Sequence, residues 1–309
     1  MNTVIHYGKG NITFYRTYAA PLRDLPTIPE SSFNGRENIL FAADVDVEVF
    51  GDNFLPAYTD GDNSMVVATD SMKNFTLSMA LEYPGSTLEG YLAFLGRRFL
   101  ATYPQMQSLR LTGREQPFAA ASVPSSGGGF EASQVLFSRR HDDQAFAQLE
   151  LDRGGDGTRV TAHRCGHIGL QLIKVTGSSF SQFVRDQHTT LPERPDRPLF
   201  IYLNVYWRYT SQEDALGDSL ECYVAAEQVR DFVQVTFHQF VSNSIQHLLH
   251  EIGSRLLVRF PQLGSVSFDA QNRLWDTAVV SEQDPRRKVY RDPTAPYGMI
   301  HLTLSREVQ

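Results

Sequence analysis

The sequence lacks most features that define secreted, membrane-spanning or nucleic-acid-binding proteins. Two cysteines occur among its 309 residues, too few for a disulfide framework and typical of a reducing compartment. No apolar run approaches the ~20 residues that a helix needs to cross a bilayer. The net charge of −7 leaves no dominant basic face, so we expect neither a membrane nor a nucleic-acid partner.

Targeting and metal-binding motifs are also lacking. The N-terminal residues alternate in polarity without a signal-peptide core, and the C-terminal SREVQ is not the peroxisomal Ser-Lys-Leu, so we expect a cytoplasmic protein. The chain carries no His-Glu-x-x-His, Cys-x-x-Cys or dinucleotide-binding fingerprint. One close cluster, His163-x-Cys165-x-His167, falls on a predicted strand. We therefore expect no bound metal.

Two halves of the chain resemble each other at a fixed offset of 157. LGRRFLATYPQM from residue 95 aligns with IGSRLLVRFPQL from residue 252, and VATDSMKNF from residue 67 aligns with VAAEQVRDF from residue 224. Self-similarity over this distance predicts two copies of one structural unit. The glycine-rich residues 123–130 suit a linker, which places the units at residues 1–126 and 127–309.

Each unit is predicted to contain antiparallel strands and two helices, an α+β fold. In residues 43–50 apolar and acidic side chains alternate, as in a half-buried strand. A helix is predicted from about Asp70, and another from a capping box of Ser86 and Glu89 to Pro104.

The second unit repeats this arrangement. Residues 144–152 and 199–210 are predicted strands. The helix that follows them has Asn243 and Gln246 at the capping positions and ends at Pro261. Sheets that carry helices on one face leave the other face to be covered, which closure into a barrel within an oligomer would achieve.

Several ordered blocks resemble the signatures of the urate oxidase (uricase) family. They span nearly the whole chain, and long agreement in order is far more specific than any single motif. The blocks are Tyr7-Gly8-Lys9, residues 63–74 (NSMVVATDSMKN), residues 177–197 (GSSF, RD, TTLPE, DR), Ser244-Ile245-Gln246-His247, residues 271–276 (QNRLWD) and Pro296-Tyr297-Gly298.

The resemblance implies two tandem tunnelling-fold units that assemble into barrels in a homotetramer with active sites between subunits. It also implies oxidation of urate by O2 and water to 5-hydroxyisourate and H2O2 without a cofactor. An electron-rich purine can react with O2 directly once it is deprotonated. The protein must then hold the ring, remove protons and place O2 or water over one face.

Lys9 and Thr69 are the residues that the resemblance implies for proton transfer. A lysine acts as a base only when neutral, and burial favours that state. A neighbouring threonine hydroxyl can relay the proton. Without the resemblance, Lys9 would be read as a solvated turn residue and Thr69 as a helix N-cap. The second unit carries Ala226 in place of Thr69; a cap would serve both copies, whereas a reactive hydroxyl is needed once per site.

Arg197 and Gln246 are expected to clamp the pyrimidine side of the purine. A guanidinium presents a planar fork, and an amide both donates and accepts hydrogen bonds. The alternatives are an ion pair of Arg197 with Asp196 or Glu193, and the capping role of Gln246.

Further substrate contacts are implied by the resemblance at four positions. Phe180 would stack on the ring, unless it is an ordinary core residue. Asp70 and Ile245 would contact the substrate through backbone groups. Asn272 would hold O2 or water above the ring together with Thr69, unless it is a turn residue after a strand.

One position departs from the pattern of many family members, which have a histidine two positions after this asparagine. Here the residue is Leu274. The proton relay then either ends at Lys9 and Thr69 or uses another histidine. Other possible activities are oxidation of a modified purine, hydrolysis of a pterin or purine, and purine binding without catalysis. A tunnelling-fold hydrolase commonly needs zinc, so the scarcity of metal motifs counts against hydrolysis.

Overall fold

The computed structural model describes residues 3–139, 141–155, 157–273, 275–293 and 295–307. Helices and strands are interspersed along the chain, and the strand pairs whose register is resolved are antiparallel, which confirms the α+β class. No helix in the described part of the chain is long and apolar enough to cross a membrane. The elements in chain order are β1 His6–Thr17, β2 Leu40–Phe50, α1 Leu55–Thr59, α2 Thr69–Glu82, α3 Leu88–Thr102, β3 Ser108–Glu115, β4 Phe118–Pro124, β5 Phe130–Arg139, β6 Gln144–Gly154, β7 Gly157–Lys174, β8 Leu199–Tyr209, α4 Glu213–Leu216, α5 Ala226–Gln239, α6 Ile245–Arg259, β9 Leu263–Arg273, β10 Thr277–Val280, β11 Lys288–Tyr290 and β12 Gly298–Ser305.

The chain divides into two compact units. Unit 1 comprises Met1–Thr27, Phe33–Gly166 and Ser211–Ala225, and unit 2 comprises Ile28–Ser32, His167–Thr210 and Ala226–Gln309. These units do not divide at residue 126. The predicted linker, residues 123–130, contains the turn of the β4–β5 hairpin at residues 125–129, and β6 pairs with β3 of unit 1.

The sheet of unit 1 has the order β1-β2-β3-β6, followed by the first part of β7. The alternation predicted for β2 is confirmed: Val45, Val47 and Val49 are 0–1% exposed and lie in the hydrophobic core with residues of α2 and α3. Burying such a side chain stabilises the fold by about 1.5–3 kcal/mol. The other face of the strand carries Asp44, Asp46 and Glu48, which form hydrogen bonds and ion pairs to β1 and β3.

The sheet of unit 2 has the order β7-β8-β9-β12, with α5 and α6 following β8 in the chain. In both units a glycine lets the longer helix pack closely on its sheet. A Cβ added to Gly96 of α3 would lie 2.7 Å from Leu151, and one added to Gly253 of α6 would lie 2.7 Å from Leu304. These two glycines are matched by the offset of 157 in the sequence.

The helix boundaries confirm the duplication. α2 and α5 begin and end at positions 157 apart, and so do α3 and α6. The strands that follow each helix pair, β3 and β9, lie next to the equivalent strands β2 and β8.

Cations bind the C-terminal carbonyls of these helices at duplicated positions. Arg16 donates to the carbonyls of Ala80 and Tyr83 at the end of α2, and Lys174 donates to those of Phe237 and Phe240 at the end of α5. A cation at this end complements the partial negative charge of the helix C-terminus.

The second helix of each pair is bound in the same way. Arg153 donates to the carbonyls of Leu100 and Tyr103, and Arg306 donates to those of Leu257 and Phe260. Each set of acceptors recurs at the offset of 157, so the duplication extends to the hydrogen bonds that end the helices.

The predicted capping boxes are wrong by one residue in both units. Thr87, not Ser86, is the N-cap of α3 and accepts from the Gly90 amide at 3.2 Å. Ser244, not Asn243, caps α6 and accepts from the His247 amide at 3.1 Å. Both cap residues have the extended backbone that this role requires. As a result Glu89 and Gln246 are second helical residues and not the third residues that a capping box uses.

Candidate functional site

Lys9 lies within β1, not in a solvated turn. The strand pairs with β2, so that Gly8 faces Glu48 and Lys9 faces Val47. Only a glycine fits at position 8, because an added Cβ would lie 1.8 Å from the Val47 carbonyl oxygen. The register shifts after Lys9, and the half-buried lysine side chain stands next to this irregularity.

Tyr7 connects this strand to the segment that leads into α2. Its hydroxyl accepts a hydrogen bond from the Val67 amide at 3.0 Å, and its ring contacts Phe54 edge-on at 5.0 Å. Burial raises the pKa of Tyr7, so the phenol stays neutral. The tyrosine therefore fixes the position of Lys9 relative to the start of α2. Sequence reasoning placed Tyr7 in a motif but gave it no role.

Thr69 is the first residue of α2 and does not cap the helix. The N-cap is Ala68, which makes no side-chain hydrogen bond. Among the described residues the Thr69 hydroxyl has no hydrogen-bond partner. The capping alternative for Thr69 is therefore excluded, and the hydroxyl at this helix start can serve a ligand.

Asp70 uses its carboxylate within the helix. Lys73 Nζ lies 2.6 Å from one oxygen and Asn74 donates to the other at 3.1 Å. Lys73 is the main reason that the pKa of Asp70 lies below its usual range, and the charge of Lys9 adds to the effect. Lys9 therefore acts electrostatically on the first turn of α2, whose amide groups have no acceptor within the helix.

A second group of predicted residues is joined by backbone hydrogen bonds in unit 2. Phe180 and Arg194 exchange two hydrogen bonds of 2.9 Å each, and the Arg197 amide donates to the Ser178 carbonyl at 2.8 Å. The Ser179 amide donates to the Ser242 carbonyl, just before α6. These bonds place Phe180, Arg197 and the N-terminus of α6 in one region.

Arg197 lies against Phe180 with part of its guanidinium unpaired. The guanidinium carbon is 5.2 Å from the ring centroid, and Nε is buried without a hydrogen-bond partner in the described structure. Burial lowers the pKa of Arg197, and the charge of Arg194 lowers it further. A buried donor without an acceptor costs about 1–3 kcal/mol, a cost that a bound water or a ligand with an acceptor atom would remove.

The alternative ion pair of Arg197 with Asp196 does not form. The Asp196 carboxylate accepts from Thr176 Oγ1 at 2.6 Å and from the Gly177 amide at 2.8 Å. Glu193 accepts instead from the Gln182 amide. Both carboxylates therefore stabilise the loop, and neither pairs with the Arg197 guanidinium.

Ile245 and Gln246 begin α6. Ile245 is 2% exposed, so only its backbone can meet a ligand. Gln246 is exposed, and the described residues provide no hydrogen-bond partner for its amide. Sequence reasoning did not find Phe183, which stacks on Phe180 with centroids 4.9 Å apart; a lone phenylalanine in a loop gives no signal of such a role.

Asn272 lies in β9 and pairs with Ile201 and Gly298, so it is not a turn residue. Within the described ranges no hydrogen bond joins its side chain to Phe180, Arg197 or Gln246. Leu274, where many family members carry a histidine, lies outside the described residues.

A metal centre has no support in the described part of the chain. His163, Cys165 and His167 occupy alternate positions of β7, yet no group of three potential ligands converges there or elsewhere among the described residues. Burial and the nearby Glu89 raise the pKa of the Cys165 thiol, which disfavours the thiolate that binds metals. A groove of about 470 Å³ on the unit 2 sheet is lined by residues such as Tyr202, Gln271 and His301 and contains none of the predicted site residues.

Comparison with known proteins gives consistent matches over nearly the whole chain. The family model described as Uricase matches residues 44–150 and 163–301. The chain is 49% identical to the uricase of Haloferax volcanii over 304 residues and 48% identical to that of Halalkalicoccus jeotgali over 302 residues, with 98% of each chain covered in both cases. Its fold is similar to the crystal structure of Bacillus sp. TB-90 urate oxidase, with a TM-score of 0.95, 45% identity and coverage of 98% of this chain and 100% of that one.

Proposed function

Because the chain belongs to the uricase family and is a urate oxidase, we propose that Lys9 and Thr69 deprotonate urate while Arg197 and Gln246 hold it. One observation carries this proposal. Three polar groups suited to the task lack a hydrogen-bond partner among the described residues: the Thr69 hydroxyl, the Gln246 amide and Arg197 Nε.

Proton transfer is assigned to the residues near the start of α2. Tyr7 and the β1–β2 pairing fix Lys9 near Asp70 at the start of the helix. Neutral Lys9 would take a proton that the Thr69 hydroxyl relays from the purine. With Leu274 in place of a histidine, the relay ends at these two residues and water.

Binding of the purine ring is assigned to the residues near the start of α6. Arg197 Nε donates to an acceptor on one edge of the ring, and the Gln246 amide both donates and accepts beside it. Phe180 stacks on one face, a contact worth about 0.5–1.5 kcal/mol beyond burial. The backbone amides of Asp70 and Ile245 complete the set, since both residues lie in first helical turns.

The electrons go to O2. The purine gives two electrons and two protons to O2, which leaves as H2O2, and water adds its hydroxyl and its other proton to the oxidised ring to give 5-hydroxyisourate. Asn272 and Thr69 would hold O2 or water over the ring. The chemistry as proposed uses no cofactor, because the substrate itself is the reductant.

We further propose a homotetramer in which each site takes one group of residues from each of two subunits. Symmetric assembly of this kind is common. The proposed compartment is the cytoplasm, and neither Cys165 nor Cys222 forms a disulfide in the described structure, as expected in a reducing compartment.

Replacement of Lys9 by methionine tests the assignment. Loss of a general base lowers the rate by about 10²–10⁴-fold, so we expect Lys9→Met to reduce urate turnover by that factor. The assay follows urate absorbance and H2O2 with metal-stripped protein. Lys288→Met, at an exposed position of β11, is the matched control and keeps full activity. An unchanged rate in Lys9→Met would refute the proton-transfer role.

A further inference from the structure

Unit 1 contains a second copy of the backbone bridge that holds Phe180 in unit 2. Leu22 and Arg36 exchange two backbone hydrogen bonds of 2.8 Å, as Phe180 and Arg194 do in unit 2. The two bridges lie 158 residues apart, one more than the offset of the helices. Leu22 therefore takes the place of the stacking phenylalanine, and it is 1% exposed.

Glu89 takes the place of Gln246 in this second copy. Each is the second residue of its helix, α3 or α6. Whereas Gln246 is exposed, Glu89 is 4% exposed. Its carboxylate accepts a hydrogen bond from the Tyr223 hydroxyl at 2.9 Å and also interacts with the Cys165 thiol.

The ring of Tyr223 completes the arrangement. Tyr223 is 7% exposed and lies in a small apolar cluster with Leu22, Leu25 and Ala225, against which Phe33 and Leu220 also pack. The Tyr223 ring thus lies in one cluster with Leu22, the counterpart of Phe180. Its hydroxyl binds Glu89, the counterpart of Gln246.

We propose that Tyr223 is an internal ligand, whose phenol occupies in unit 1 the place that the substrate takes at the equivalent residues of unit 2. The comparison rests on the clamp roles proposed above. Unit 1 therefore contains a degenerate, permanently filled copy of the purine clamp.

The ligand chemistry of this copy differs from that of the clamp. A carboxylate only accepts hydrogen bonds, whereas the Gln246 amide also donates. The counterpart of Arg197 at the offset of 158 is Ile39, so the copy has no positive charge at the position that would bind an anionic purine. Once emptied, the pocket would take an uncharged planar ring that donates hydrogen bonds from one edge, such as a phenol or an aminopyrimidine.

Removal of the tyrosine ring tests the proposal through thermal stability and not through urate turnover. We expect Tyr223→Ala to lower Tm, and p-cresol, which has the structure of the lost side chain, to restore at least about 2 °C of it. Toluene, which lacks the hydroxyl, restores less. 2-Aminopyrimidine also raises Tm, and the further change Glu89→Leu abolishes its effect. If Tyr223→Ala does not fold, the effects of the same compounds on Tm are measured with Tyr223→Val.

Tyr91→Ala is the matched control. Tyr91 is a fully buried tyrosine of unit 1. Its hydroxyl donates to the Thr76 carbonyl at 2.9 Å and not to Glu89. We expect p-cresol, but not 2-aminopyrimidine, to stabilise this variant. Equal responses of the two variants to 2-aminopyrimidine, or no response of Tyr223→Ala to either compound, would overturn the proposal. Because Lys9→Met tests turnover alone, failure of the proposed function would leave this readout unaffected.

Discussion

The two helix pairs of this chain agree at their C-terminal ends and differ at their N-terminal ends. Arg16 and Lys174 bind equivalent carbonyls after α2 and α5, and Arg153 and Arg306 do so after α3 and α6.

At the other ends, Thr69 corresponds to Ala226, and Gln246 to Glu89. Residues that support the fold are thus present twice, whereas residues assigned to chemistry are present once. A duplicated sequence can therefore separate structural from functional residues without an alignment of relatives.

Among the clamp residues, the largest effect is expected from making the clamp resemble its degenerate copy. Gln246→Glu replaces a group that donates and accepts by one that only accepts, and it adds a negative charge beside an anionic substrate. We expect kcat/KM for urate to fall by about 100-fold, which corresponds to about 2.7 kcal/mol. The measurement is steady-state kinetics with each purified variant.

The reverse change is the control for this prediction. Glu89→Gln alters the copy in unit 1, where the carboxylate binds Tyr223, and is expected to change Tm with little effect on turnover. Comparable losses of activity in the two variants would contradict the distinction between clamp and copy.

A smaller effect is expected at Arg197. Arg197→Lys keeps the positive charge but removes Nε and the planar fork that lies against Phe180. We expect KM to rise about tenfold with a smaller change in kcat, because loss of one charge-assisted hydrogen bond costs about 1.5–3 kcal/mol. Kinetics that changed kcat alone would indicate a role in the chemical step instead of binding.

The smallest effect concerns the shared C-terminal caps. Arg16→Met and Lys174→Met each remove a cation from a helix end, and we expect each to lower the free energy of unfolding by about 1–2 kcal/mol. Denaturant unfolding measures the two losses side by side. Equivalent roles require similar values, and a loss confined to one variant would show that the caps are not equivalent.

Much of the fold could be predicted from the sequence, because the helices and β2 carry clear periodicity and the duplication fixes their equivalence. The helix caps could not be placed to the residue, since Ser86 and Thr87 are adjacent and both suit an N-cap. The extent of the units was not predictable from composition, because glycines mark a hairpin turn as readily as a linker.

The candidate site was predicted through motifs and not through contacts. Phe180 and Arg197 meet the start of α6 by backbone bonds between segments far apart in sequence, to which periodicity gives no guide. The roles of Tyr7 and Phe183, and the contact of Tyr223 with Glu89, depend on the folded chain for the same reason.

The central claim, that the chemistry belongs to one copy of the duplicated helix start, is tested most directly by exchanging its two residues. Thr69→Ala and Ala226→Thr are measured for urate turnover under the same conditions. We expect Thr69→Ala to lower kcat by about 100-fold or more, as for loss of a proton-transfer group, and Ala226→Thr to leave it unchanged. Full activity in Thr69→Ala, or equal losses in both variants, would contradict the account.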